Sequence, residues 1–240
     1  MGDDTRPPSK PMSRNRNPGR RSAASPAATI LDVARRAGVS TATVSRALAA
    51  PDRVAGVTRA RVIGVCGADA AALAEEVEAL RVEVLQSRGT DPRVMPDLSG
   101  MRARIFAAKA PDGAWEAKIG RGRLQDIELL AQCFALRAGS AARAVQAQLR
   151  TGPRTGLIGG AEGETLASAR RFLWSLQCAG RLLTEKPLDM DNLGKGGQAF
   201  LLRETGTASL EELAARLAAT VETAGAIIDG VLAGVEAQAG

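Results

Sequence analysis

Thr41, Ala42, Ser45 and Arg46 lie within one short segment, Ser40 to Leu48, whose apolar residues are Val44, Ala47 and Leu48. In a helix the first four share the outer, N-terminal side and the last three face inward. An arginine there can give two parallel hydrogen bonds to the edge of a guanine, and a threonine can touch a base or a thymine methyl. The hydroxyls of Ser40, Thr43 and Ser45, with the free amides of a helix start, suit phosphate oxygens. The chemistry on offer is recognition of DNA rather than the making of bonds.

Such a face must be held at a steep angle by a second helix. Ile30, Val33, Ala34 and Ala37 fall on one side of a helix that Thr29 can cap. Gly38 suits the left-handed turn at its end, and Ser40 caps the next helix. Ala34 is small enough for a close crossing. Pro51 and Asp52 then break the chain, Val54 packs back, and a third helix is expected from Val57 or Thr58 through Ile63. This is a helix-turn-helix head whose second helix enters the major groove.

The run from Thr29 to Leu48 resembles the DNA-binding head of the LacI family of transcriptional repressors. Asp32-Val33-Ala34, Ala37-Gly38-Val39-Ser40 and Thr43-Val44-Ser45-Arg46 carry the likeness. Pro51-Asp52-Arg53-Val54 and Thr58-Arg59 extend it. The resemblance implies base reading by Thr41, Ala42 and Arg46, and backbone contacts from Thr29, Ser40, Thr43, Ser45 and Thr58. It also implies a homodimer on paired half-sites. Position 49 is Ala where the family usually has Asn. The family's hinge and sugar-binding domain have no counterpart here, so the usual dimerisation surface is missing.

Composition narrows the rest. The chain has 240 residues, 45% of them hydrophobic but only 2% aromatic, so its core is built from Ala, Leu, Val and Ile. An alanine-rich chain of this kind favours helices. There is no histidine and no tyrosine, which removes His triads, His general bases and His metal ligands. Cys66, Cys133 and Cys178 are too scattered for a zinc site and fit a reducing compartment. No metal or cofactor is expected. The net charge of +6 is compatible with a nucleic-acid partner. Residues 1–27 are rich in Pro, Ser and Arg and are expected to be a disordered basic tail able to add phosphate contacts. No apolar run reads as a membrane span and no signal peptide is evident, so a cytoplasmic protein is expected.

The fold is expected to be all-α, with the head at 28–65, a helix and linker at 66–100, and a larger helical bundle at 101–236. In the linker part, Leu73, Val77, Leu80 and Val84 repeat at helical spacing, and 89–100 reads as a loop. A short helix follows from Met101 to Lys109, then an irregular stretch carrying Trp115. Ile127, Leu130, Ala131 and Phe134 mark the strongest helix of the second half. A short helix is expected at 141–149 and a long one from about Glu164 to Leu183. A loop with Pro187, Gly194, Gly196 and Gly197 comes next. The last helix opens on a capping box of Ser209 and Glu212.

The run Trp115-Glu116-Ala117-Lys118-Ile119-Gly120-Arg121-Gly122-Arg123-Leu124-Gln125-Asp126-Ile127-Glu128 is similar to an element in the C-terminal helical part of glutamine synthetase adenylyltransferases. Met101-Arg102-Ala103-Arg104, Arg171-Phe172-Leu173-Trp174 and Pro187-Leu188-Asp189-Met190 fit the same region. The resemblance implies glutamine synthetase or a PII signal protein as a partner. That family's catalysis needs a Gly-Ser turn and paired carboxylates that hold Mg-ATP. No such set is evident, so no enzyme is expected. Asp189-Met190-Asp191 reads as a surface loop, Gly194-Lys195-Gly196-Gly197 as a flexible one. Asp126 reads as a cap and packing residue near Lys118 and Arg123. Thr58 to Ile63 can belong to the head or to the adenylyltransferase-like sequence.

Overall fold

The computed structural model describes residues 58–63 and 70–239, with side chains through residue 235. Among these residues the protein is all-α. Seven helices follow in order: α1 (Ala70–Gly89), α2 (Val94–Ala108), α3 (Leu124–Arg137), α4 (Val145–Leu149), α5 (Gly160–Leu183), α6 (Lys195–Thr205) and α7 (Leu210–Ala239). A 3-10 turn, Gly152–Thr155, lies between α4 and α5.

Helix α3 is the centre. Ile127, Leu130, Ala131 and Phe134 are completely buried, as their spacing predicts. Ala135, Leu136 and Cys133 close the remaining sides. A helix buried on nearly every side must lie inside a bundle. Accordingly α1, α2, α4, α5 and α7 all pack on it. Leu166, Leu173 and Leu176 of α5 and Leu213, Leu217 and Ile228 of α7 complete the core. With few aromatics, the core relies on many leucines, each contributing about 1.5–3 kcal/mol on full burial.

Three elements depart from the sequence reading. First, residues 89–100 are not a loop, because α2 already begins at Val94. Pro96 is its third residue, where the missing N–H has no intrahelical partner to lose. The Asp91 carboxylate accepts the Arg93 N–H at 3.0 Å, and Met95 and Leu98 drive the new turn into the core. Second, α6 occupies much of the expected loop. Gly196 and Gly197 are helical, and a Cβ on Gly197 would stand 2.8 Å from Leu193 Cδ1. Gly197 therefore serves close packing, whereas Gly196 faces open space, and Leu201 is the buried anchor of the helix. Third, α1 does not bury Leu73, Val77, Leu80 and Val84, which remain half-buried. Its buried residues are Arg81, Leu85 and Gly89. Gly89 sets this rotation, since a Cβ there would lie 2.0 Å from the Leu136 carbonyl oxygen.

The start of α7 follows expectation with one shift. Ser209 Oγ accepts the Glu212 N–H at 3.1 Å, while the Glu212 carboxylate reaches back to the Ala208 N–H at 2.7 Å. Residues Leu210–Val235 are long and apolar enough to cross a membrane by length and composition, which the sequence reading had not anticipated. Here that helix lays Leu213, Leu217, Ala224, Ile228 and Val231 into the core.

Candidate functional site

Of the residues expected to touch DNA, Thr29, Ser40, Thr41, Ala42, Thr43, Ser45 and Arg46 lie outside the described residues. Thr58 lies within them and is fully buried, its carbonyl accepting Arg81 Nη1 at 3.5 Å. Thr58 and Arg59 are helical but residues 60–63 are not, so the third helix does not continue to Ile63. Arg143 Nε donates to the Ala60 carbonyl at 2.7 Å. Arg59 also approaches Glu128 at 3.7 Å. The segment is thus fastened to the helical body by side chains of α1, α3 and the loop before α4.

The densest polar constellation lies where α2, α3 and α7 meet the turn at Gly120–Gly122. Arg102 of α2 grips Asp126 of α3 through two hydrogen bonds, 2.7 and 3.0 Å. Asp126, almost wholly buried, also accepts the Gly122 N–H at 2.8 Å. Arg102 reaches on to Asp229 of α7 at 2.7 Å. Asp229 meets Arg121 at 2.7 Å, and Arg121 extends to Glu222 at 2.8 Å. Burial pushes the Asp229 carboxyl up, but the hydrogen bonds from Arg121 and Arg102 outweigh it and hold it below its ordinary value. Asp126 therefore has Arg102 and Gly122 as partners, not the expected Lys118 and Arg123. Lys118 instead lines the cavity between the Trp115 loop and the end of α5, while its backbone carbonyl accepts the Gln125 N–H at 2.9 Å and its N–H donates to Glu116 at 2.7 Å.

Gly122 makes this junction feasible. Its φ is +69°, and a Cβ there would stand 2.0 Å from the Val221 carbonyl oxygen of α7. Backbone and guanidinium both press on α7 at this point. Every carboxylate in the constellation is engaged by arginine. The chemistry it supports is the joining of three helices.

Two cavities flank the loop that carries Trp115. One, of about 210 Å³, lies between that loop and the end of α5, with Lys109, Lys118, Arg181 and Lys186 interspersed with Asp112 and Glu185. The other, of about 230 Å³, lies between Trp115 and α7, lined by Leu217, Val221 and Arg123. Arg123 Nη1 is buried with no hydrogen-bond partner. Burial pulls the Arg123 guanidinium below its ordinary basicity, and Glu116 offsets this only in part.

Residues 29–66 match the family model described as bacterial regulatory proteins, lacI family. Residues 101–232, more than half of the chain, match the model described as GlnD PII-uridylyltransferase. The chain belongs to the GlnD PII-uridylyltransferase family. Two curated relatives are bifunctional glutamine synthetase adenylyltransferase/adenylyl-removing enzymes. The one from Rhizobium meliloti (strain 1021) is 38% identical over 80 residues, 33% of this chain and 8% of that protein. The one from Rhodopseudomonas palustris (strain TIE-1) is 26% identical over 190 residues, 75% of this chain and 18% of that protein. The chain thus spans less than a fifth of the length of these relatives.

The uridylyltransferase-family match begins within α2 and ends within α7, so it encloses the whole Arg102–Asp126–Asp229 junction. Among the described residues, no three His, Cys, Asp or Glu side chains gather where they could hold a metal ion. Asp189 closes its own turn, accepting the Asp191 N–H at 3.0 Å and the Asn192 amide at 2.7 Å, with Met190 buried beneath. The Gly194–Gly197 segment is the start of α6, a correction to the flexible loop expected there. Sequence reasoning passed over Arg102, Arg121 and Asp229. A usable signal existed for Asp229, the only charged residue between Glu222 and Glu236. An isolated charge in an apolar helix needs a partner.

Proposed function

We propose that the chain is a sequence-specific DNA-binding regulator whose helical body is non-catalytic and engages a protein partner. The lacI-family match at 29–66 carries this reading. In it, Thr41, Ala42 and Arg46 read base edges, and Thr29, Ser40, Thr43 and Ser45 hold phosphates. The chain divides into a basic tail (1–27), the head (28–65), a connecting part (66–100) and the bundle (101–236), the last two sharing α2. Reading two half-sites requires a homodimer. The protein works in the cytoplasm. Selection from random duplexes followed by footprinting tests the reading. Arg46→Ala is expected to weaken the selected site about tenfold or more, the worth of one bidentate base contact. Affinity no greater than that of a peptide spanning residues 1–27 overturns it.

A second reading is favoured by the 190 residues aligned with an adenylyltransferase/adenylyl-removing enzyme. Here the body binds glutamine synthetase or a PII protein in nitrogen regulation and transfers nothing itself. Capture of purified glutamine synthetase or PII by the full chain is the expected result, and failure with both counts against it. AMP transfer from labelled ATP by the purified chain overturns the non-catalytic part of both readings.

A further inference from the structure

Helix α5 carries an exposed face that the bundle does not use. Trp174 is 48% exposed and Leu182 78%, and with Ile63 they are the large hydrophobic residues left at the surface among the described residues. Trp174, Cys178 and Leu182 recur at every fourth position of α5, so they form one stripe along it, and Cys178 is exposed as well. Apolar side chains scattered singly are ordinary at a surface, but aromatic residues in an apolar row are what the centres of interfaces are enriched in. Arg170 lies over the Trp174 ring, 5.0 Å from its centroid, and steadies the indole. The two ends of the stripe carry opposite charge. Exposed Arg171 lies at the N-terminal end, where it donates to Ser168 at 2.8 Å. Exposed Glu185 lies just past the C-terminal end, where the last carbonyls of α5 add their own negative potential.

We propose that this face of α5 is a twofold interface with a second copy of the chain, the two helices running antiparallel and crossing at Cys178. A twofold contact must be self-complementary, and this stripe is so in one direction only. Antiparallel about Cys178, position 174 meets position 182 of the second copy, and position 171 meets position 185. Trp174 then covers Leu182 of the second copy, and Arg171 reaches its Glu185 and helix end. The small Cys178 side chains sit at the crossing, where the helices come closest. Laid in the same direction, each residue would meet itself, setting Arg171 against Arg171. One helix pair covers an area at the low end of specific interfaces, so the dimer is expected to have a Kd on the order of 10 μM. At dilution the monomer prevails and Cys178 stays open to reagents. The interface deepens the proposed DNA-binding reading, which needs a homodimer, and the choice of a second copy rests on that reading together with the self-complementary charges.

Sedimentation velocity of the full chain, without DNA, tests the interface. A monomer–dimer equilibrium is expected, and Leu182→Glu should weaken it about tenfold or more. Arg171→Glu should weaken it about threefold, and adding Glu185→Arg to that variant should restore it. In a Cys66→Ser background a short bismaleimide should join two chains through Cys178, since Cys133 is buried, and Leu182→Glu should abolish that product. The residues changed on α5 and at its end are exposed, and circular dichroism verifies that each variant stays folded. A chain that stays monomeric up to about 100 μM overturns the proposal. So does a dimer that Leu182→Glu leaves unchanged, that the charge exchange fails to restore, or that gives no Cys178 cross-link. A monomeric chain that still selects a DNA site would sink this interface and leave the head's recognition standing, whereas a cross-linked dimer that selects no DNA would do the reverse.

Discussion

Two ionic hubs hold the helices of this protein, and they differ in depth. At the α2–α3–α7 junction, Asp126 and Asp229 gather Arg102 and Arg121, and the Asp126 side chain is 1% exposed. On the α1 side, Glu78 gathers Arg81 and Arg143 at a carboxylate 36% exposed. Asp229, 41% exposed, and Glu78 each meet two guanidinia, whereas the buried Asp126 meets one and the Gly122 amide. A buried charge that loses its partner has no water to replace it, whereas an exposed one does. Asp126 is therefore a structural commitment of the junction, while Glu78, with water beside it, is the more replaceable partner on the α1 side.

Breaking the deep hub should produce the largest effect. Asp126→Ala leaves the Gly122 amide buried without an acceptor and Arg102 with Asp229 alone, and is expected to cost about 3 kcal/mol in denaturant unfolding, with little dependence on salt. A loss below about 1 kcal/mol would erase the contrast between the hubs. Gly122→Ala attacks the same junction through the backbone. It combines a left-handed conformation, about 1–2 kcal/mol, with overpacking against Val221, about 1–3 kcal/mol. Thermal melts should show it well below wild type, and an unchanged melting temperature would refute the close approach.

Acid separates the hubs more gently. The folded-state carboxyl of Asp229 lies below its ordinary value, so its contribution is complete above the unfolded value of about 3.9 and is lost as pH falls through the lower folded value. Glu78 is also lowered, through its hydrogen bond to Arg81, and follows the same sign from about 4.3 downward. Stability measured by denaturant titration should thus be flat with respect to these groups from pH 7 to about 5 and decline only below that. In a Glu78→Gln variant Arg81, itself 6% exposed, keeps the Thr58 and Ala141 carbonyls as acceptors, so the loss at neutral pH should be about 1–2 kcal/mol and shrink in high salt. A salt-independent loss of several kcal/mol would place Glu78 with the buried hub.

The smallest expected effect concerns reactivity. Cys133 packs on Met95 and burial pushes its thiol up to about 12, whereas Cys178 is exposed on α5. Peptide mapping after brief iodoacetamide treatment should find Cys178 modified and Cys133 spared until the chain unfolds. Modification of Cys133 in the native protein would show that the α2–α3 contact opens locally.

The spacing of Ile127, Leu130, Ala131 and Phe134 already identified the central helix, because a periodic apolar stripe must be buried wherever the helix lands. The same holds for Ser209 and Glu212, whose capping is a contact between near neighbours. The all-α class and the two family likenesses were legible for similar reasons, being carried by residue type and local spacing. Tertiary contact decided the rest. Asp126 finds Arg102 across 24 positions, a pairing that no local pattern encodes. Gly89 and Gly197 look like breaks in sequence, yet each permits a backbone or side chain to come close. Sequence alone set which faces were apolar and which residues carried charge. Which charges were buried together depended on how the helices packed, since desolvation belongs to the assembled fold and not to any residue by itself.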